Sequence, residues 1–111
     1  AGIAGLGVPF EPEWARTNWQ SYCVRLPEGS DQRAVMQAML DRGVATRRGV
    51  MCAHVEAPYR DHPEVWRLPP GQDLRNSEAA LGGCLLLPMY HDLAEDQVDE
   101  VCVALAGALG A

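Results

Sequence analysis

The chain has 111 residues, 48% of them hydrophobic and 22% charged, the balance of one soluble globular domain rather than of a disordered tail. Its formal net charge of -6 repels phosphate backbones and anionic lipid, which argues against nucleic acid or a membrane surface as partner. The longest apolar stretches, residues 81–90 and 101–111, contain Gly or Pro and fall short of the roughly 20 residues that a membrane span needs.

A chain of this length buries roughly 65% of its unfolded surface, enough for a core. Ala1 to Phe10 is apolar but has no basic n-region, so it does not read as a signal peptide, and the expected location is cytoplasmic. The first methionine is Met36, which leads us to expect a piece of a longer protein. Residues 1–18 are rich in Gly and Pro without a helical period and read as a lead-in or linker; residues 19–111 read as the domain.

Residues 19–26 carry aromatic and β-branched side chains and stop at Pro27-Glu28-Gly29, the pattern of a strand and turn. Ser30 is the candidate N-cap of a helix that places Val35, Met36, Met39 and Leu40 on one face and ends at Gly43. Residues 46–55 read as a second extended segment. Residues 57–72 hold Pro58, Pro63, Pro69, Pro70 and Gly71 and read as a long loop, a feature more often functional than idle.

A second helix is predicted over residues 74–81, stopped by Gly82-Gly83, and then a short buried strand, Cys84-Leu85-Leu86-Leu87, ended by Pro88. The last helix is predicted over residues 94–109, with Val98, Val101, Cys102, Leu105, Ala106 and Leu109 as its core stripe. Asp92 is the candidate cap, with Glu95 three residues on completing a capping box. The order strand, helix, strand, loop, helix, strand, helix predicts a small α/β layer, a short sheet with helices packed on it.

Cys23, Cys52, Cys84 and Cys102 are widely spaced and read as reduced thiols packed in a core. Cys52, His54, Cys84 and His91 do not have the spacing of a zinc finger, so no metal site is assigned. Asp61-His62 is not a catalytic dyad, because adjacent residues cannot orient one another and no G-x-S-x-G elbow exists. The glycines of Gly2-Ile3-Ala4-Gly5-Leu6-Gly7 lack the preceding strand and following helix of a dinucleotide loop. Arg47 and Arg48 are the best anion-binding candidates, since a guanidinium grips carboxylate or phosphate through two parallel hydrogen bonds. In a regular strand they point to opposite faces, and Arg48 shares a face with His54, which favours Arg48; a break at Gly49 would reverse the choice.

The run from Gly43 through Thr46-Arg47-Arg48-Gly49-Val50-Met51-Cys52-Ala53-His54 to Pro58-Tyr59, with Leu86-Leu87-Pro88-Met89-Tyr90-His91, resembles the C-terminal small domain of the DegT/DnrJ/StrS aminotransferases. The resemblance runs from Trp19 to Leu109, with two departures: Gly49 stands where many relatives have a histidine, and Ala94 where a threonine commonly caps the last helix. It implies the small domain of a fold-type I transferase that uses pyridoxal phosphate (PLP). It further implies a homodimer whose large domain holds most of the cofactor contacts, and amino transfer from glutamate or glutamine to a nucleotide-linked keto-sugar or a keto-cyclitol. On the same basis Arg48 would hold an anionic group of donor or sugar nucleotide, while His54 and Tyr59 would contact the substrate. All nine basic side chains are arginine, however, and a transaminase needs a lysine amine to hold PLP covalently and to move the proton. The chain alone is therefore expected to be inactive and to hold no PLP, with no catalytic residue of its own. The alternative is a non-catalytic binding module derived from that domain.

Overall fold

The computed structural model describes residues 2–62, 64 and 67–111; Pro63, in the stretch read as a long loop, lies outside them. In chain order the elements are β1 (Tyr22–Arg25), α1 (Gln32–Leu40), β2 (Arg47–Arg48), a 3-10 turn (Ala53–Val55), α2 (Ala57–Arg60), α3 (Arg75–Gly83), β3 (Cys84–Leu87) and α4 (Glu95–Ala108). The three strands form one antiparallel sheet in the order β1-β3-β2.

Side chains alternate across a strand, so the register fixes what each face of the sheet carries. Val24 lies opposite Leu85 and both are buried against α1 and α4, in a cluster with Leu26, Val35, Met39, Val101, Ala104 and Leu105. Met39 and Leu85 are fully buried, and each contributes about 1.5–3 kcal/mol by leaving water. The other face carries Cys23, Cys84 and Leu86, all part-buried.

β1 is shorter than the sequence pattern predicts. Trp19 has a φ of +49°, outside the extended range of a strand, and its ring stacks on Tyr22 at 5.9 Å. The cap of α1 is Asp31 rather than Ser30: its Oδ1 accepts from the N–H groups of Arg33 at 2.9 Å and Ala34 at 3.0 Å, while the Ser30 N–H closes a turn onto Pro27. A carboxylate there also meets the positive end of the helix dipole. α1 ends at Leu40 with Asp41 as its C-cap, short of the Gly43 read as its stop; a turn follows in which Gly43 has a φ of +81°, suited to a residue without Cβ, and the Val44 N–H donates to the Met39 carbonyl.

The extended segment read over residues 46–55 is corrected: only Arg47 and Arg48 pair as strand. Gly49 still donates its N–H to the Cys84 carbonyl, but the backbone presses on the thiols beneath, where a Cβ would lie 2.6 Å from Cys84 Cβ and 2.8 Å from Cys23 Sγ. The chain then turns into the 3-10 turn and α2, with Pro58 in the first turn of α2, where its missing N–H costs nothing. That helix interrupts the predicted loop. α3 runs through Gly82-Gly83 instead of stopping before them, and the Gln32 amide donates to the carbonyls of Leu81 and Cys84 at its end.

At α4 the predicted capping by Asp92 gives way to Gln97, whose Oε1 accepts from the Ala94 N–H at 3.0 Å, whereas Asp92 pairs with its neighbour His91. The buried seam of α4 is Val101, Ala104 and Leu105; Val98 and Cys102 are exposed, so Cys102 is not a core thiol as read. The lead-in also takes part in the fold: Ile3 and Leu6 pack against the core, and Gly7 and Arg25 exchange backbone hydrogen bonds of 2.8 Å.

Candidate functional site

The segment after β2 folds against α3 and leaves a cleft of about 380 Å³, lined by Met51, Cys52, Ala53, His54, Tyr59, Leu74 and Ser77. Cys52, buried, donates its thiol to the Ser77 carbonyl at 3.3 Å and so ties the 3-10 turn to α3. Within it, His54 Nε2 lies 2.9 Å from Glu78 Oε1. The His54 side chain is 13% exposed and that of Glu78 54%, so the imidazole is held in the wall while its carboxylate partner meets solvent. Tyr59, in α2, reaches the same cleft and its phenol is half-exposed, with no hydrogen bond among the described residues. An imidazole fixed by a carboxylate and a free phenol can together donate to, and accept from, hydroxyls of a neutral polar ligand.

Two of the three residues singled out from the sequence therefore share one cleft. Arg48 does not line it. Arg48 lies opposite Leu85 and is exposed, and the argument that it shares a face with His54 fails because the strand ends at Arg48. Arg47, opposite Leu86, instead enters a second cleft of about 340 Å³ at the end of the sheet, with Gln20, Ser21, Thr46, Met89 and Tyr90 among its walls. Glu78 was not legible as a site residue: it is 24 residues from His54, and no local pattern links an α3 carboxylate to a 3-10 turn.

Other titratable pairs among the described residues are local. Arg60 forks onto the neighbouring Asp61 at 2.8 and 3.1 Å, which pulls the Asp61 carboxyl below its ordinary range, and His62 Nδ1 meets Glu64 at 3.0 Å. Asp61 and His62 thus have separate partners.

A three-stranded antiparallel sheet with helices packed on it and clefts at its end and flank defines a small α/β domain. The family model described as the DegT/DnrJ/EryC1/StrS aminotransferase family matches residues 1–106, and the chain belongs to that family. Among solved structures, the aminotransferase TlmJ from Streptoalloteichus hindustanus matches with a TM-score of 0.77 at 24% identity, covering 97% of this chain and 27% of that one. A DegT DnrJ EryC1 StrS aminotransferase from Brucella abortus matches with a TM-score of 0.76 at 23% identity, covering 96% of this chain and 27% of the other. The chain thus has the fold of one part of these enzymes and spans about a quarter of their length.

Proposed function

We propose that this chain is the C-terminal small domain of a PLP-dependent aminotransferase that moves an amino group from glutamate or glutamine to a nucleotide-linked keto-sugar or a keto-cyclitol. The observation that carries the reading is the family match over residues 1–106, with His54 and Tyr59 gathered in one cleft. In the complete enzyme, a homodimer, a large domain supplies the lysine and most contacts to PLP. The residues of this chain do not fit the covalent anchor, since it has no lysine and a guanidinium stays protonated. Its part is to close the site: the Tyr59 phenol donates to a substrate hydroxyl, His54 contacts the substrate, and Glu78 accepts from the imidazole Nε2–H and holds the ring in place. The resemblance gives Arg48 to an anionic group of the donor or sugar nucleotide, from the exposed edge of β2.

Reading the coding sequence upstream of Ala1 tests the first half of this. An in-frame, lysine-bearing segment of one to two domain lengths supports it; a start codon preceded by a stop just before Ala1 overturns catalysis and leaves a non-catalytic module. In the complete enzyme, His54→Ala and Tyr59→Phe should each lower kcat/KM for the keto-substrate by about tenfold, the worth of one hydrogen bond. PLP absorbance should stay unchanged, and unaltered kinetics in both variants would remove the substrate role.

A further inference from the structure

We propose that the cleft at the end of the sheet is a second recognition site, for the phosphate or carboxylate group of a small organic anion, with Arg47 as its cation and the Thr46 hydroxyl as its inner donor. The proposal does not depend on transamination, and the cleft shares no lining residue with the cleft of His54 and Tyr59.

Three separate segments converge there. Gln20 and Ser21 come from the approach to β1, Thr46 from just before β2 and Arg47 from its first position, and Leu86, Leu87, Pro88 and Met89 from the end of the central strand and the turn after it. Polar groups therefore stand on both outer strands with an apolar surface between them, the arrangement that suits a ligand with a charged head and a carbon body. A volume of about 340 Å³ is enough for a small organic anion and too small for a macromolecular partner.

Two observations point to a missing occupant. The Thr46 hydroxyl oxygen is buried and has no hydrogen-bond partner among the described residues. Leaving such a group unpaired costs about 1–3 kcal/mol, so it needs an explanation. Next to it, the exposed Arg47 side chain makes no ion pair or hydrogen bond among the described residues; Arg25, Arg33 and Arg48 are likewise unpaired, and Arg47 is the one of these four that lines this cleft with Thr46. A hydroxyl without an acceptor beside a guanidinium without a counter-ion are both satisfied by one anionic oxygen pair: the guanidinium donates through its fork and the threonine O–H donates from the floor. Arg48 is absent from the walls of this cleft and serves as the control.

The test is a titration of the ¹⁵N-labelled chain, followed by amide and arginine side-chain NMR, with inorganic phosphate, methyl phosphate and succinate in separate arms at constant ionic strength. Saturable shifts confined to Ser21, Thr46, Arg47 and Leu86 are expected, and the arm that binds more tightly assigns the head group. Arg47→Gln should weaken binding by tenfold or more and Arg48→Gln by less than twofold. Thr46→Val removes the orphaned hydroxyl while keeping the shape, so it should raise the melting temperature of the free chain and weaken anion binding. Linear, unsaturated shifts in every arm, or equal losses in the two arginine variants, would overturn the proposal. So would a Thr46→Val protein that is stabilised yet binds as the parent does, because the hydroxyl would then be idle.

Discussion

Cys23 sits on the less covered face of the sheet, where burial raises its thiol pKa above the ordinary value and the neighbouring Cys84 thiol adds to the effect through charge and hydrogen bonding. The same pair explains Gly49: any Cβ there would overlap Cys84 Cβ and Cys23 Sγ, so no larger residue is accommodated without a shift of the strands. A thiol whose folded pKa is raised binds its proton more tightly in the native state. Its contribution to stability is therefore whole below the unfolded value, about 8.5, and is lost as pH rises through the folded one. Thiolate is also the reactive form, so Cys23 should lag in alkylation. Treating the folded chain with iodoacetamide at pH 8 and mapping the modified peptides should show the exposed Cys102 labelled first and Cys23 well after it; Cys23 labelled ahead of Cys102 would contradict this account of the thiol pair.

At the scale of elements, what local pattern specifies was legible and what distant contacts specify was not. β3 and α4 stand out because a short apolar run and a long 3.6-residue stripe are bounded by glycine and proline. β2 was overread, because nothing near Gly49 in the sequence announces the two thiols, 26 and 35 residues away, that bend the strand. α2 was missed because Pro58 reads as a breaker unless its place in the first turn is known. His54 and Tyr59 were singled out through the family resemblance; the cleft they share, the Glu78 partner and the orphaned Thr46 hydroxyl were not legible, since burial and pairing across elements decide them. The shift of the α1 cap from Ser30 to Asp31 makes a checkable difference. Asp31→Ala removes two capping bonds and should cost about 1 kcal/mol, whereas Ser30→Ala, outside the cap, should cost less than half as much. Urea midpoints of the two variants decide between the two caps, and equal losses would return the role to Ser30.

The whole molecule is more extended than its length requires. Its radius of gyration is 16.4 Å, against about 13 Å for a compact chain of this size, and it measures 50 × 37 × 27 Å. The excess goes with the lead-in, which packs through Ile3 and Leu6 and then exposes Val8, Phe10 at 82% and Trp14 at 88%. Large side chains so exposed on one short run usually mark a surface that another body covers. Because the chain spans 27% of the length of the aminotransferases it resembles in fold, the rest of such an enzyme is the body we propose for that role. The isolated chain should then bind a hydrophobic dye and self-associate in a concentration-dependent way. Phe10→Ser with Trp14→Ser should remove most of both effects without lowering the urea midpoint, since neither residue belongs to the core cluster. Sedimentation velocity and dye fluorescence, read on the parent and the double variant, would place the adhesive surface elsewhere if the two proteins behaved alike.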